Sequence, residues 1–253
     1  MAFPNVATKS NGFVNSGDPT VTLPASCAVG DLVLIFLALG TQCSITAEPA
    51  GWTLITSSSG STYGGFVYGR IITGGEANPT WNLTAYPTPA NRYAAWGAYR
   101  YDASGSIGFS VTANVAIAKS SWNVWAAGTI DAPALTVPVD WGSGDYSWMT
   151  ANIAGFVFRP TGITFPPGWT NDSINAYSSG ASLGAQMTIG TIADSTASSR
   201  DPGNWTHQYN YGSHQNRCVT LAVRFATDAP TTPLGGPGQL RRRRGFEDTE
   251  YFR

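Results

Sequence analysis

The apolar residues of the chain fall into short runs separated by turn residues. The longest run, residues 32–39, is continuous, which predicts a strand buried on both faces. It is about half of the roughly 20 apolar residues that a membrane-spanning helix needs. Over residues 219–224 apolar and other residues alternate, which predicts a strand with one buried face. Helical periodicity is not sustained for three turns anywhere, so the pattern predicts an all-β sandwich.

Several landmarks occur twice in the same order. Gly30-Asp31 precedes the first apolar run and returns as Gly144-Asp145, with matching flanks over residues 22–31 and 136–145. Pro-Ala-Gly-Trp returns as Pro-Pro-Gly-Trp, "TWNLT" as "NWTH", and "AYRY" as "AVRF". We therefore predict two diverged copies, at about residues 20–104 and 133–226. Together they form one jelly-roll-like sandwich over residues 20–228 with a continuous core.

Each landmark has a structural interpretation. In the Gly-Asp pairs the glycine turns the chain, and the aspartate accepts hydrogen bonds from free backbone amides of the turn. Metal binding by the aspartates is the alternative. In the proline-containing motifs the glycine allows a tight turn and the tryptophan folds back over the sandwich end; these residues are Gly51, Trp52, Gly168 and Trp169.

Composition supports strands over helices. Charged residues make up 11% of the chain, against about a quarter in an average globular protein. The first 20 residues are polar and lack a basic cluster, so we expect no signal peptide and folding in a cytoplasm. The three cysteines, Cys27, Cys43 and Cys218, lack C-x-x-C spacing, which predicts free buried thiols.

The segments "TLPASCAVGDLVLIF", "PAGWTLI", "FVYGRIIT", "TWNLT" and "AAWGAYRY" resemble a family of β-sandwich proteins common in tailed-phage genomes. The resemblance covers residues 20–226, and the second copy departs from it at Tyr146-Ser147-Trp148. It implies a minor tail, fibre-associated or head-decoration component, and it implies no catalytic residues.

Candidate chemistry is sparse. His207 and His214 with Asp201 match no standard metal spacing, so we expect them to be surface residues. A glycosidase needs two carboxylates across a sugar, and the candidates Asp102, Asp131 and Asp140 are better explained as turn residues. We expect no enzyme activity, no cofactor and no metal.

Aromatic residues in loop-like segments leave a sugar-binding alternative open, because exposed rings stack on sugars. The other interpretation, which does not involve sugar, is that these rings close the sandwich ends or contact neighbouring proteins. They are Tyr86, Trp122, Trp125, Trp141, Tyr177, Tyr209 and Tyr211.

Both termini differ from the sandwich. Residues 1–19 predict an N-terminal arm, and residues 229–253 a Pro/Gly linker followed by an arginine-rich C-terminal arm. Up to Asp228 the chain has 9 basic and 12 acidic residues, and beyond it 5 basic and 3 acidic. Acids among the arm's aromatic residues disfavour nucleic acid and favour a protein partner. The predicted partner-binding residues are Arg241, Arg242, Arg243, Arg244, Phe246, Tyr251 and Phe252.

These patterns together predict a non-enzymatic structural protein of a phage virion. It would be an external capsid decoration or cement protein, or a head-tail accessory protein, anchored by its C-terminal arm. The expected partners are major capsid, neck or tail subunits and further copies of itself, with no membrane. The alternatives are a carbohydrate- or host-receptor-binding module of a tail or fibre and, third, a glycan hydrolase.

Overall fold

The computed structural model describes most of the sandwich region and neither terminus. The described residues are 6–40, 42–59, 64–85, 92–103, 109–120, 123–125, 128–141, 146–156, 161–179, 184–194, 197–208 and 214–224. They form 18 strands and one short 3-10 helix, Val139–Trp141. The all-β sandwich prediction is confirmed.

Two large antiparallel sheets face each other. Sheet I has the order β1 (Val6–Val14), β7 (Ala94–Tyr101), β2 (Leu32–Leu39), β5 (Gly64–Ile71) and β4 (Thr53–Ser59). Sheet II has the order β8 (Val115–Lys119), β18 (His214–Arg224), β12 (Tyr146–Phe156), β15 (Gly184–Asp194) and β14 (Thr170–Ser179), and β9 (Asn123–Trp125) also pairs with β18.

Three smaller sheets complete the fold. The first pairs β3 (Cys43–Ala47) with β6 (Asn82–Ala85). The second joins β10 (Gly128–Ala132), β17 (Gly203–Gln208) and β13 (Thr161–Thr164), and the third pairs β11 (Leu135–Thr136) with β16 (Ser199–Arg200). Leu83 of β6 packs on the outer face of sheet I, and Trp205 of β17 packs on the outer face of sheet II.

The main core lies between sheets I and II. It draws on both predicted copies, with Leu34 and Phe36 of β2 on one side and Met149 and Ile153 of β12 on the other. The opposite side chains of β2 are buried in a second cluster beneath β6. All eight residues of β2 are therefore buried, as its continuous apolar run predicts.

The two large sheets have the same architecture. The edge strands β1 and β8 lie beside β7 and β18, and β2 and β12 each occupy the centre of their sheet. Across the sandwich β1 packs against β14, while the Lys119 ammonium of β8 donates to the Ser57 carbonyl of β4 at 3.1 Å. Strand order is therefore reversed between the facing sheets, as a pseudo-two-fold axis parallel to the strands requires.

The same axis places equivalent turns at one end of the sandwich, which we call the Gly-Asp end. It is the end at which β2 and β12 begin and β7 and β18 finish. The Tyr101 hydroxyl at the end of β7 lies 3.3 Å from the Ser147 hydroxyl near the start of β12. Both copies thus contribute to the Gly-Asp end.

The structure differs from the sequence predictions in three details. Residues 6–14, assigned to an N-terminal arm, form edge strand β1. This strand pairs with β7 without interruption from Val14↔Ala94 to Thr8↔Arg100. The prediction of one buried face for β18 is wrong, because Trp205 and its neighbours cover the second face and bury Thr220 and Ala222 as well. A jelly-roll arrangement is not confirmed, because sheet I consists of β1 and strands of the first copy, and sheet II consists of β8, β9 and strands of the second copy.

The second copy carries a one-residue offset after its Gly-Asp pair. Arg100 pairs with Val33, whereas the equivalent Arg224 pairs with Tyr146, the residue directly after Asp145. Tyr146 therefore stands where Val33 stands in the first copy. This offset places the aromatic rings of Tyr146 and Trp148 on the outer face of sheet II, where they are buried.

Candidate functional site

The first Gly-Asp pair forms a rigid turn before β2. Gly30 has φ of +92°, a conformation that favours glycine. The buried Asp31 carboxylate accepts hydrogen bonds from the Ala28 amide at 2.8 Å and from the Ala103 amide at 2.9 Å. Its acceptor positions are thus used by backbone amides, as expected for an aspartate that fixes a turn.

Asp31 also has a charged partner that sequence analysis missed. The Nε of Arg100, near the end of β7, lies 2.5 Å from Asp31 Oδ2, and its Nη2 lies 3.5 Å from the Asp102 carboxylate. Burial lowers the pKa of Arg100, but the hydrogen bond and charge of Asp31 outweigh this effect and raise it. The arginine repeated in the strand endings "AYRY" and "AVRF" was the available signal, although the separation of 69 positions between Asp31 and Arg100 conceals the pairing.

The second Gly-Asp pair, Gly144 and Asp145, lies outside the described residues. The equivalent arginine, Arg224, is placed by an aromatic ring: its guanidinium carbon lies 4.7 Å from the centre of the Trp141 ring. Trp141 in turn stacks on Tyr146 with ring centres 6.0 Å apart. A cation–π contact thus holds the guanidinium in the second copy.

The two tryptophan turns have the same local structure. Gly51 and Gly168 both have φ of +81°, and the tryptophan after each is buried at 9% exposure, Trp52 in the first copy and Trp169 in the second. Arg70 closes the first turn by donating to the Ala50 carbonyl at 3.1 Å. The positive φ of Gly51 favours glycine, and a Cβ added there would also lie 3.0 Å from Arg70 Nη1 and crowd the guanidinium.

A cleft of about 270 Å³ lies beside the first tryptophan turn, lined by Trp52, Arg70, Glu76 and Asn78 among others. The Glu76 carboxylate accepts hydrogen bonds from the amide and hydroxyl of Thr73 and from the Gly74 amide. The Thr73 hydroxyl and these amides lower the pKa of Glu76 to about 2, against burial, which raises it. Glu76 therefore stays anionic at neutral pH and cannot serve as a general acid there.

The polar side chains of this cleft are engaged by contacts within the protein. Arg70 Nη2 lies 3.4 Å from Glu76 Oε1, and the Asn78 side-chain oxygen accepts from the Leu23 amide at 2.9 Å. These contacts connect the loop after β5 to the segment before β2. The arrangement stabilises the Gly-Asp end of the first copy.

The catalytic alternatives are distributed over separate elements. Asp102 lies near Arg100, Asp131 lies in β10, and Asp140 lies in the 3-10 helix. Asp201 accepts a hydrogen bond from the Gly203 amide at 3.1 Å, within a turn. The side chains of His207 and His214 lie outside the described residues. No group of three or more His, Cys, Asp or Glu residues that could hold a metal occurs in the described part of the chain.

One aromatic candidate for sugar stacking has a described side chain, and this ring is not available to a sugar. Trp141 is buried, because it packs between Arg224 and Tyr146. The remaining candidates lie outside the described residues or in strands whose side chains are not described: Tyr86, Trp122, Trp125, Tyr177, Tyr209 and Tyr211. All three cysteines are free, with Cys43 and Cys218 buried and Cys27 half-buried.

The predicted partner-binding residues of the C-terminal arm, Arg241, Arg242, Arg243, Arg244, Phe246, Tyr251 and Phe252, also lie outside the described residues. Within the described ranges, no helix is long and apolar enough to cross a membrane. No protein-family model, curated protein or solved structure matches the chain.

Proposed function

We propose that the chain is a non-enzymatic structural protein of a phage virion, an external capsid decoration or cement protein or a head-tail accessory protein. Its C-terminal arm anchors it to major capsid, neck or tail subunits. The sequence resemblance to tailed-phage sandwich proteins is the starting point for this proposal, and it implies no catalytic group.

One observation carries the proposal further: the residues behind the resemblance hold the fold together. Asp31 of the Gly-Asp motif pairs with Arg100 of the Tyr-Arg motif. Trp52 of the Pro-Ala-Gly-Trp motif packs on Trp81 of the "TWNLT" motif, with ring centres 5.9 Å apart. A signature made of turn and core residues is typical of a scaffold whose function lies in its surfaces and extensions.

The place where the described chain ends and the charge of the C-terminal arm support the anchoring role. The last described residue, Arg224, lies at the Gly-Asp end, and the predicted arm begins at residue 229. The four consecutive arginines suit carboxylates on a protein partner, and the three aromatic residues suit apolar pockets.

Deleting residues 229–253 tests the anchor. We expect the truncated sandwich to fold, because Arg224 completes its last described strand, and to be lost from particles. The full and truncated chains are supplied in equal amounts to particles that lack the protein, and the bound copies are counted by quantitative mass spectrometry. A truncated chain that occupies particles as fully as the intact chain would refute arm anchoring.

A further inference from the structure

Large apolar side chains are strongly exposed at four described positions, and three of these lie at the Gly-Asp end. Val29 is 71% exposed in the turn before β2, Val139 is 98% exposed in the 3-10 helix before β12, and Leu54 is 40% exposed near the start of β4. The fourth, Phe13, is 51% exposed near the other end of β1, where it pairs with Ala95. The two most exposed side chains come from the segments that precede the central strands β2 and β12, one in each copy.

The turn that carries Val29 is held firmly. Asp31 binds the Ala28 amide at 2.8 Å on one side of Val29, and the Gly30 amide donates to the Ile72 carbonyl at 2.8 Å on the other. The Cys27 thiol donates to the Pro24 carbonyl at 3.1 Å. The valine is thus presented at a fixed position although its side chain faces solvent.

The turn that carries Val139 is held by different contacts to the same effect. The Trp141 amide donates to the Pro138 carbonyl at 2.9 Å and closes the turn beneath Val139. The Trp141 ring is buried between Arg224 and Tyr146, which anchors the 3-10 helix to sheet II. Neither turn needs to reorganise to offer its valine to a partner, so little conformational entropy is lost on binding.

We propose that the Gly-Asp end is the face that seats on the particle, with Val29 and Val139 as paired apolar contacts to a protein subunit. This inference rests on the proposed virion function and adds the face and residues that make the contact. Two aliphatic side chains without hydrogen-bonding groups suit shallow apolar pockets on a protein, whereas sugar recognition relies on aromatic rings and polar groups.

The end of the described chain supports this orientation. Arg224 lies at the Gly-Asp end, four residues before the last residue ahead of the predicted arm, so an arm that continues from there can engage the same partner surface as the two valines. Linking contacts in this way raises their effective concentration and strengthens a site whose individual contacts are weak.

The test uses the full chain, with its arm intact, and particles that lack the protein. The double variant Val29→Glu, Val139→Glu places charge at both contacts, and Phe13→Glu places the same charge on an equally apolar exposed residue far from the Gly-Asp end. We expect the double variant to bind with at least about tenfold lower affinity, because a carboxylate buried against an apolar pocket is costly. We expect Phe13→Glu to bind within about twofold of the unaltered chain.

Thermal unfolding shows whether each variant folds, and the milder pair Val29→Ala, Val139→Ala decides the question if the glutamate variant does not. Binding of a folded double variant at unaltered affinity, or a loss in Phe13→Glu as large as in the double variant, would overturn the seating proposal alone. Failure of the unaltered chain to bind particles would overturn the virion function and this inference together.

Discussion

At the residue scale, the Asp31–Arg100 pair is the key contact of the first copy. Both side chains are buried, and Asp31 also binds the amides of Ala28 and Ala103. A buried pair of this kind adds little over an apolar alternative, but losing one partner leaves a buried charge unmatched. The pair therefore fixes the start of β2 relative to the end of β7.

Replacing Arg100 tests this role. We expect Arg100→Met to lower the free energy of unfolding by about 3–5 kcal/mol, because the Asp31 carboxylate stays buried without its cation. Arg92→Met is the matched control: Arg92 pairs with Asp18 at 2.8 Å, but both side chains are partly exposed. Its expected cost is about 0–1 kcal/mol. Urea unfolding of the two variants measures both values, and equal costs would show that burial of the Asp31–Arg100 pair does not matter.

Sequence analysis predicted that Asp31 binds backbone amides, but it missed two arginines of the first copy. Arg100 binds Asp31 at the Gly-Asp turn, and Arg70 closes the tryptophan turn. Arg100 and Arg70 reach their partners through strand pairing across sheet I, which a local motif does not encode. The contact between Trp141 and Arg224 was missed for a related reason, because Arg224 lies 83 positions further along the chain, about one copy length away.

At the element scale, the two copies differ most on their outer sheet faces. Cross-strand neighbours Leu37 and Trp96 in sheet I are replaced at the equivalent positions of sheet II by Thr150 and Thr220, both fully buried. The Thr150 hydroxyl accepts from the Trp205 ring nitrogen at 3.3 Å and donates to the Val219 carbonyl at 3.2 Å. The Thr220 hydroxyl makes no hydrogen bond that the described structure shows.

These neighbouring threonines give a matched comparison. We expect Thr150→Val to lower the free energy of unfolding by about 1–3 kcal/mol, because the Trp205 ring nitrogen loses its buried acceptor. We expect Thr220→Val to leave stability unchanged or raise it by about 1 kcal/mol, because it removes a buried hydroxyl without a partner. Thermal and urea unfolding measure both. A larger loss for Thr220→Val than for Thr150→Val would contradict the hydrogen-bond assignment.

The edge strands β1 and β8 are the elements that sequence analysis did not assign to the two copies. Strand β1 and its equivalent β8 both lie before the copies that the sequence landmarks delimit. Their sequences do begin alike, Val-Ala-Thr-Lys-Ser against Val-Ala-Ile-Ala-Lys-Ser, so a longer alignment of the chain with itself could have included them. Edge strands alternate buried and exposed positions weakly, and residues 6–14 therefore resembled a polar extension.

At the scale of the whole molecule, the described chain is a pseudo-two-fold sandwich with both tryptophan turns and the starts of β2 and β12 at one end. The sequence predicted the sandwich and the duplication, because continuous apolar strands and repeated turn motifs are local signals. It could not predict that strand order reverses between the facing sheets, since that depends on how two complete sheets pack.

Cryo-electron microscopy of purified particles tests the proposed virion function most directly, by locating the chain and its orientation. The account predicts density for the sandwich on the particle surface, with the Gly-Asp end towards capsid, neck or tail subunits and the C-terminal arm between them. A sandwich at the tail tip with the Gly-Asp end pointing away would contradict the seating proposal and favour receptor binding. Absence of the chain from the particles would contradict the virion function itself.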